Sequence, residues 1–83
     1  MIVSILSPKG ELYTGEAIAV TVPGINGSLG ILDNHAPLIS SLASGKLEIE
    51  TTKGQKSYFQ IKGGVIEVAN NSVSLLCNNA EKL

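Results

Sequence analysis

The stretch Lys46-Leu47-Glu48-Ile49-Glu50 alternates charged and aliphatic side chains at every step, and no other feature limits the fold so tightly. Successive residues of a β-strand point to opposite faces, so this period places Leu47 and Ile49 against a core and Lys46, Glu48 and Glu50 in water. On a helix the same residues would put charge on every side. One wet face also rules out a parallel sheet buried between layers of helices, whose strands read as continuous apolar runs.

The same period recurs along the chain. Ile2 to Leu6 is a first strand ended by Ser7-Pro8-Lys9-Gly10, and Leu12 to Thr14 is a short second one. Glu16 to Val22 reads as one strand, with Ile18, Val20 and Val22 on one side and Ala17, Ala19 and Thr21 on the other. The breaker cluster Pro23-Gly24-Ile25-Asn26-Gly27 then returns Leu29 to Leu32 as a hairpin partner. Pro37 to Leu42 is expected to be extended up to Gly45, although Leu38, Ile39 and Leu42 would also fit one helical turn. After the alternating strand, Thr52-Lys53-Gly54-Gln55 turns the chain, and Lys56 to Lys62 runs back with Phe59 and Ile61 on one face. Gly63-Gly64 interrupts, and Val65 to Ala69, the Asn70-Asn71 turn and Val73 to Cys77 form a last hairpin. Turn signals about every eight to twelve residues, without a sustained helical period, indicate an all-β sandwich or barrel.

The length of 83 residues allows one domain, residues 1–83, with residues 78–83 as a short C-terminal tail. Its small core gains from any partner that covers a face. A net charge of -1, with six scattered lysines as the only basic residues, leaves no field for a phosphate backbone, so nucleic acid is not expected as a ligand. The single cysteine, Cys77, reads as a buried thiol in a strand and suits a reducing compartment. No apolar run reaches the length of a membrane span, and the opening residues are too short for a signal-peptide core.

The most specific stretch is Gly27 to Ile39, read as strand, shaped loop, strand, with Gly27, Gly30 and Pro37 as the residues that shape it and Gly30 needed for folding. It carries the only histidine, His35, two residues from Asp33. An Asp-oriented imidazole could act as a general base, but no nucleophile or second carboxylate accompanies it, so His35 reads as a loop or contact-surface residue. One His and one distant Cys do not make a zinc site, and no metal is expected. Gly24, Gly27 and Gly30 lie between strands, whereas a phosphate cradle must run from a strand into a helix, so tight ATP binding is not expected, nor is any cofactor. Glu50-Thr51-Thr52-Lys53-Gly54 resembles the lysine-tipped hairpin of lipoyl carrier domains, with Lys53 as the modified residue, but Thr52 and Gly54 stand where carriers usually have Asp and Ala.

Nearly end to end, the chain resembles the N-terminal β-sandwich of the epsilon subunit of bacterial F-type ATP synthase. Ser7-Pro8-Lys9-Gly10-Glu11-Leu12-Tyr13-Thr14-Gly15 is similar to that family's opening turn, and Val20-Thr21-Val22-Pro23-Gly24 to its second strand. Gly27-Ser28-Leu29-Gly30-Ile31-Leu32 with His35-Ala36-Pro37-Leu38 resembles its most specific signature. Gly45 with Leu47 and Ile49, Gly63-Gly64-Val65-Ile66-Glu67-Val68, and Val73-Ser74-Leu75-Leu76 fit the later strands.

The resemblance implies a sandwich of two mainly antiparallel five-stranded sheets with no long helix. It also implies a non-catalytic rotor subunit of the central stalk, joining the gamma subunit to the membrane c-ring during proton-driven ATP synthesis. Such a subunit would sit peripherally on the cytoplasmic side of the bacterial inner membrane. Ser28, Leu29, Asn34 and His35 would then meet the c-ring. The family often carries Glu where this chain has Ser28, which weakens any specific ion-pair claim there. The family also continues into a two-helix hairpin linked to ATP binding and inhibition, and this sequence ends at Leu83 without one, so that regulation is not carried over. The alternatives are the lipoyl carrier and a protein-binding sandwich of unspecified partner.

Overall fold

A computed structural model describes residues 1–83. It contains ten strands and no helix: β1 (Ile2–Ser7), β2 (Gly10–Glu16), β3 (Ala19–Gly24), β4 (Gly27–Leu32), β5 (Leu38–Leu42), β6 (Gly45–Glu50), β7 (Lys56–Ile61), β8 (Gly64–Ala69), β9 (Ser72–Cys77) and β10 (Ala80–Lys82). They form two five-stranded layers, β4-β3-β6-β7-β10 and β5-β8-β9-β1-β2, joined where β3 meets β5 at the single pair Gly24 and Leu42. Every pairing is antiparallel except that of β1 with β9.

Alternation decides which side chains face inward. Leu47 and Ile49 of β6, Phe59 and Ile61 of β7, Val20 and Val22 of β3 and Ile31 of β4 fill one inner face. Val3 and Ile5, Ile66 and Val68, and Val73, Leu75 and Cys77 fill the other. No charged or polar residue is buried with them. Tyr13 on β2 meets Phe59 on β7 edge to face, ring centroids 5.5 Å apart, and so ties the two layers. Asn70 and Asn71 both have positive φ, 51° and 58°, the geometry of a two-residue turn whose twist matches its flanking strands.

Three local readings of the sequence differ from the structure. Glu16 to Val22 is not one strand: Glu16 ends β2, and Ala17 and Ile18 form a corner before β3. Ala17 is fully buried there, its N–H donating to the Met1 carbonyl at 2.9 Å, because the chain is crossing from one layer to the other. The second strand is longer than Leu12 to Thr14, and Leu12 is an extra residue opposite the break between Ile5 and Leu6. Residues 78–83 are more than a tail, since Ala80–Lys82 pairs with β7 along Phe59 to Ile61. The ambiguous Pro37 to Leu42 segment is extended, as β5.

Candidate functional site

Strand β4 and the loop after it carry the residues of interest. The β3–β4 turn is Ile25-Asn26, flanked by Gly24 and Gly27. Gly27 takes φ 122°, open only to glycine at low cost, and a Cβ on Gly24 would stand 2.6 Å from the Gly27 carbonyl oxygen. Gly30 is different. It lies inside β4, has no positive φ, and nothing is within 4 Å of where its Cβ would be, so neither the loop nor the core requires a glycine there.

At the far end of β4 the loop Asp33 to Pro37 is held by backbone and by distant residues. The His35 N–H donates to the Leu32 carbonyl at 3.1 Å. Asn34 adopts φ 62°, which Asn tolerates, and its N–H donates to Asn71 Oδ1 at 2.8 Å. The imidazole Nδ1 lies 2.7 Å from the Ala36 carbonyl, an oxygen that can only accept, so Nδ1 carries the proton. The ring is thus committed to its own loop. Asp33 receives the Met1 amino group at 2.6 Å, and that same ammonium donates to the Ala17 carbonyl at 3.0 Å. One ion pair therefore ties together the start of β1, the Ala17 corner and the loop.

The structure does not bring Ser28, Leu29, Asn34 and His35 onto one surface. Ser28 pairs with Pro23 near the β3–β4 turn, while Leu32, four residues and roughly 13 Å further along the strand, pairs with Ala19. Asn34 and His35 lie beyond that. Ser28 and Leu29 share their end with the Ile25-Asn26 turn and with Ser40 and Ser41 of β5. Asn34 and His35 share the opposite end with Met1, Asn71 and the β6–β7 hairpin that carries Lys53. That hairpin is closed by Thr51 and Gln55, with Gly54 at φ 78°, and Lys53 stands exposed at its tip. Contiguity in sequence makes the four residues look like one site, but β4 sets Ser28 and Leu32 at opposite ends of its pairing with β3.

Chemical capability at either end is small. No group of three or more His, Cys, Asp or Glu residues converges, and no helix is long and apolar enough to cross a membrane. Burial pushes the Cys77 thiol above its ordinary range, which keeps it protonated and unreactive. Charges lie on the outer face of the first layer, where Lys56 approaches Glu48 at 3.8 Å and Lys46 sits 5.0 Å from the Tyr58 ring centre. The Met1–Asp33 tie spans 32 positions and carries no local signal, so sequence reasoning missed it.

The fold itself defines a class, a ten-stranded all-β sandwich with an apolar interior. A family model described as "ATP synthase, Delta/Epsilon chain, beta-sandwich domain" matches residues 1–83. The chain is 47% identical over 78 residues to the ATP synthase epsilon chain of Leptospira borgpetersenii serovar Hardjo-bovis, covering 93% of this chain and 60% of that one. It is 41% identical over 78 residues to the ATP synthase epsilon chain of Helicobacter pylori strain ATCC 700392 / 26695, covering 94% and 63%. The chain thus belongs to the ATP synthase delta/epsilon family, as its β-sandwich domain. It spans about three-fifths of the length of these relatives. Among solved structures it superimposes, with a TM-score of 0.93 and 26% identity, on a chain of the Euglena gracilis mitochondrial ATP synthase, solved as OSCP/F1/c-ring in rotational state 1. That match covers 99% of this chain and 52% of the other. A chain of the Tetrahymena thermophila mitochondrial ATP synthase central stalk and c-ring shares the fold, with a TM-score of 0.83 at 22% identity over 98% of this chain and 65% of that one.

Proposed function

We propose that the chain is the docking domain of a non-catalytic central-stalk subunit, joining the gamma subunit to the c-ring of a proton-driven ATP synthase on the cytoplasmic side of a bacterial inner membrane. The observation that carries this reading is the match of the family model to the whole chain, residues 1–83. The physical character of the domain suits it. A part that passes torque must resist deformation, and ten strands around a core of sixteen buried hydrophobic residues make a stiff body of 26 × 23 × 21 Å. The lipoyl reading has an exposed Lys53 in its favour and nothing further.

A coupling part needs two separate contacts, and the candidate residues fall at two ends. The ring contact belongs at the end of Ser28 and Leu29, because the signature position before the leucine is where the family meets the c-ring loops. Asn34 and His35, at the opposite end, then face away from the ring. Cysteines placed singly at Ser28, His35 and Lys53 test this in the assembled enzyme against a cysteine in the c-subunit loop. Ser28→Cys crosslinks, and His35→Cys and Lys53→Cys do not. Crosslinking from His35→Cys or Lys53→Cys with none from Ser28→Cys would put the ring at the other end.

A further inference from the structure

We propose that Asn26 is a self-modifying site: the exposed β3–β4 turn converts it to isoaspartate and aspartate without an enzyme, and so gives a neutral end of the domain a charge that the sequence does not encode. Asparagine carboxamides are among the labile groups of a folded chain. The chain has six, and Asn26 alone is followed by glycine, while the others precede His35, Asn71, Ser72, Asn79 and Ala80. The reaction begins when the backbone nitrogen of the next residue attacks the side-chain Cγ, and a Cβ on that residue crowds the approach. Gly27 has none.

The reacting groups are open. Ile25, Asn26, Gly27 and Ser28 are all exposed. The Asn26 carboxamide makes no hydrogen bond within the chain, and no atom lies within 4 Å of where a Cβ on Gly27 would stand. Gly24 and Gly27 form the last pair of the hairpin, where pairing opens at least cost, so the Gly27 nitrogen is released without unfolding the sheet. Other asparagines are held. Asn71 Oδ1 accepts the Asn34 N–H at 2.8 Å, and Asn78 Nδ2 packs over Gly63, 3.1 Å from where its Cβ would be.

Water is the only co-reactant. The Gly27 nitrogen bonds to Asn26 Cγ and gives up its proton, and Nδ2 leaves with that proton as ammonia, which closes a five-membered imide. Water then opens the ring. Addition at Cγ gives aspartate, and addition at the main-chain carbonyl of residue 26 gives isoaspartate, whose backbone runs through the side-chain carbon. Both products carry a carboxylate. No charged residue lies between Ala17 and Leu32, so this is the first charge on β3, β4 or their turn. Isoaspartate also lengthens by one atom a turn that is tied to β5 by the Ile25 N–H, which donates to the Ser41 carbonyl at 3.2 Å. The modification rests on the turn alone and not on the proposed function; on that reading the charge falls at the ring contact.

The test incubates the folded chain, with the peptide acetyl-Pro-Gly-Ile-Asn-Gly-Ser-amide as reference, in one mildly alkaline buffer at physiological temperature. Digestion after lysine releases the segment from Gly10 to Lys46, and fragment masses locate the exchange of an amino group for a hydroxyl. The folded chain converts Asn26 within about tenfold of the peptide's rate, because fraying of a terminal pair costs no more than about 1.4 kcal/mol. Isoaspartate, separated by chromatography against synthetic standards, is the larger product. Asn34, on the same segment, stays intact over that time. Gly27→Ala lowers the rate several-fold in the chain and, by the same change, in the peptide, so the peptide still decides where the positive φ at Gly27 keeps the variant chain from folding. An Asn26 that stays intact in the folded chain while the peptide reacts overturns the proposal and shows that the turn shields it. Equal conversion at Asn34, or an unchanged rate in the alanine peptide, overturns it as well.

Discussion

Two glycine-to-alanine substitutions should move stability in opposite directions, and the structure gives both magnitudes. Gly64 opens β8 at φ 132°, and a Cβ there would stand 2.1 Å from the Leu76 carbonyl oxygen and 2.8 Å from Cys77 Cα. Both atoms belong to the backbone of β9, to which Gly64 is paired at Cys77, so neither can yield without opening the β8–β9 ladder. The unfavourable backbone conformation costs about 1 to 3 kcal/mol and each ladder bond lost about 1 more, so Gly64→Ala should cost about 3 kcal/mol or above. A domain of this length holds roughly 4 to 12 kcal/mol in all. Gly30→Ala meets no atom and no strained φ, and it lowers the entropy of the unfolded chain, for a gain of about 0.5 to 1 kcal/mol. In urea, with a slope of about 1 kcal/mol per molar, the midpoint falls by about 3 M for Gly64→Ala and rises by about 0.5 to 1 M for Gly30→Ala. A loss of stability at Gly30, or a Gly64→Ala midpoint near that of the unaltered chain, would refute the argument from backbone geometry.

Leu75→Ala, which empties a fully buried site on β9 between β1 and β8, should cost about 2 to 5 kcal/mol and leave the isolated domain largely unfolded by circular dichroism. Asp33→Asn removes the charge that meets the Met1 amine and should cost no more than about 1 kcal/mol in urea titrations, with the difference shrinking in added salt because Asp33 is half exposed. Cys77 should resist alkylation under native conditions and react at once in denaturant. The native thiol holds its proton more tightly than the unfolded one, so its contribution to stability is intact below the unfolded thiol's pKa and is lost as pH rises above it. Rapid native labelling would contradict the burial of that side chain.

What could be read from the sequence, and what could not, divides by the range of the forces involved. Alternation is local, so Leu47, Ile49, Phe59, Ile61 and Leu75 reached their inner positions from pattern alone, and Asn70-Asn71 declared its turn. The break at Ala17 and Ile18 was hidden because the period of two runs straight through it, and only the crossing between layers requires a corner there. Ala80–Lys82 has no pattern of its own, and its strand exists because the edge of β7 is available to pair. The candidate site failed to cohere for a related reason. Residues 27–39 look like one motif in sequence, but a strand spends its residues on distance, so Ser28 and His35 end near opposite faces of a body little more than 20 Å across. A signature stretched over the full height of the sandwich can serve two neighbours at once, one at the β3–β4 turn and one at the Asn34 loop, and the extended strand between them fixes how far apart those neighbours stand. For a domain whose proposed task is to hold two partners in register, that spacing is itself the functional quantity, and it is set by strand geometry rather than by any one side chain.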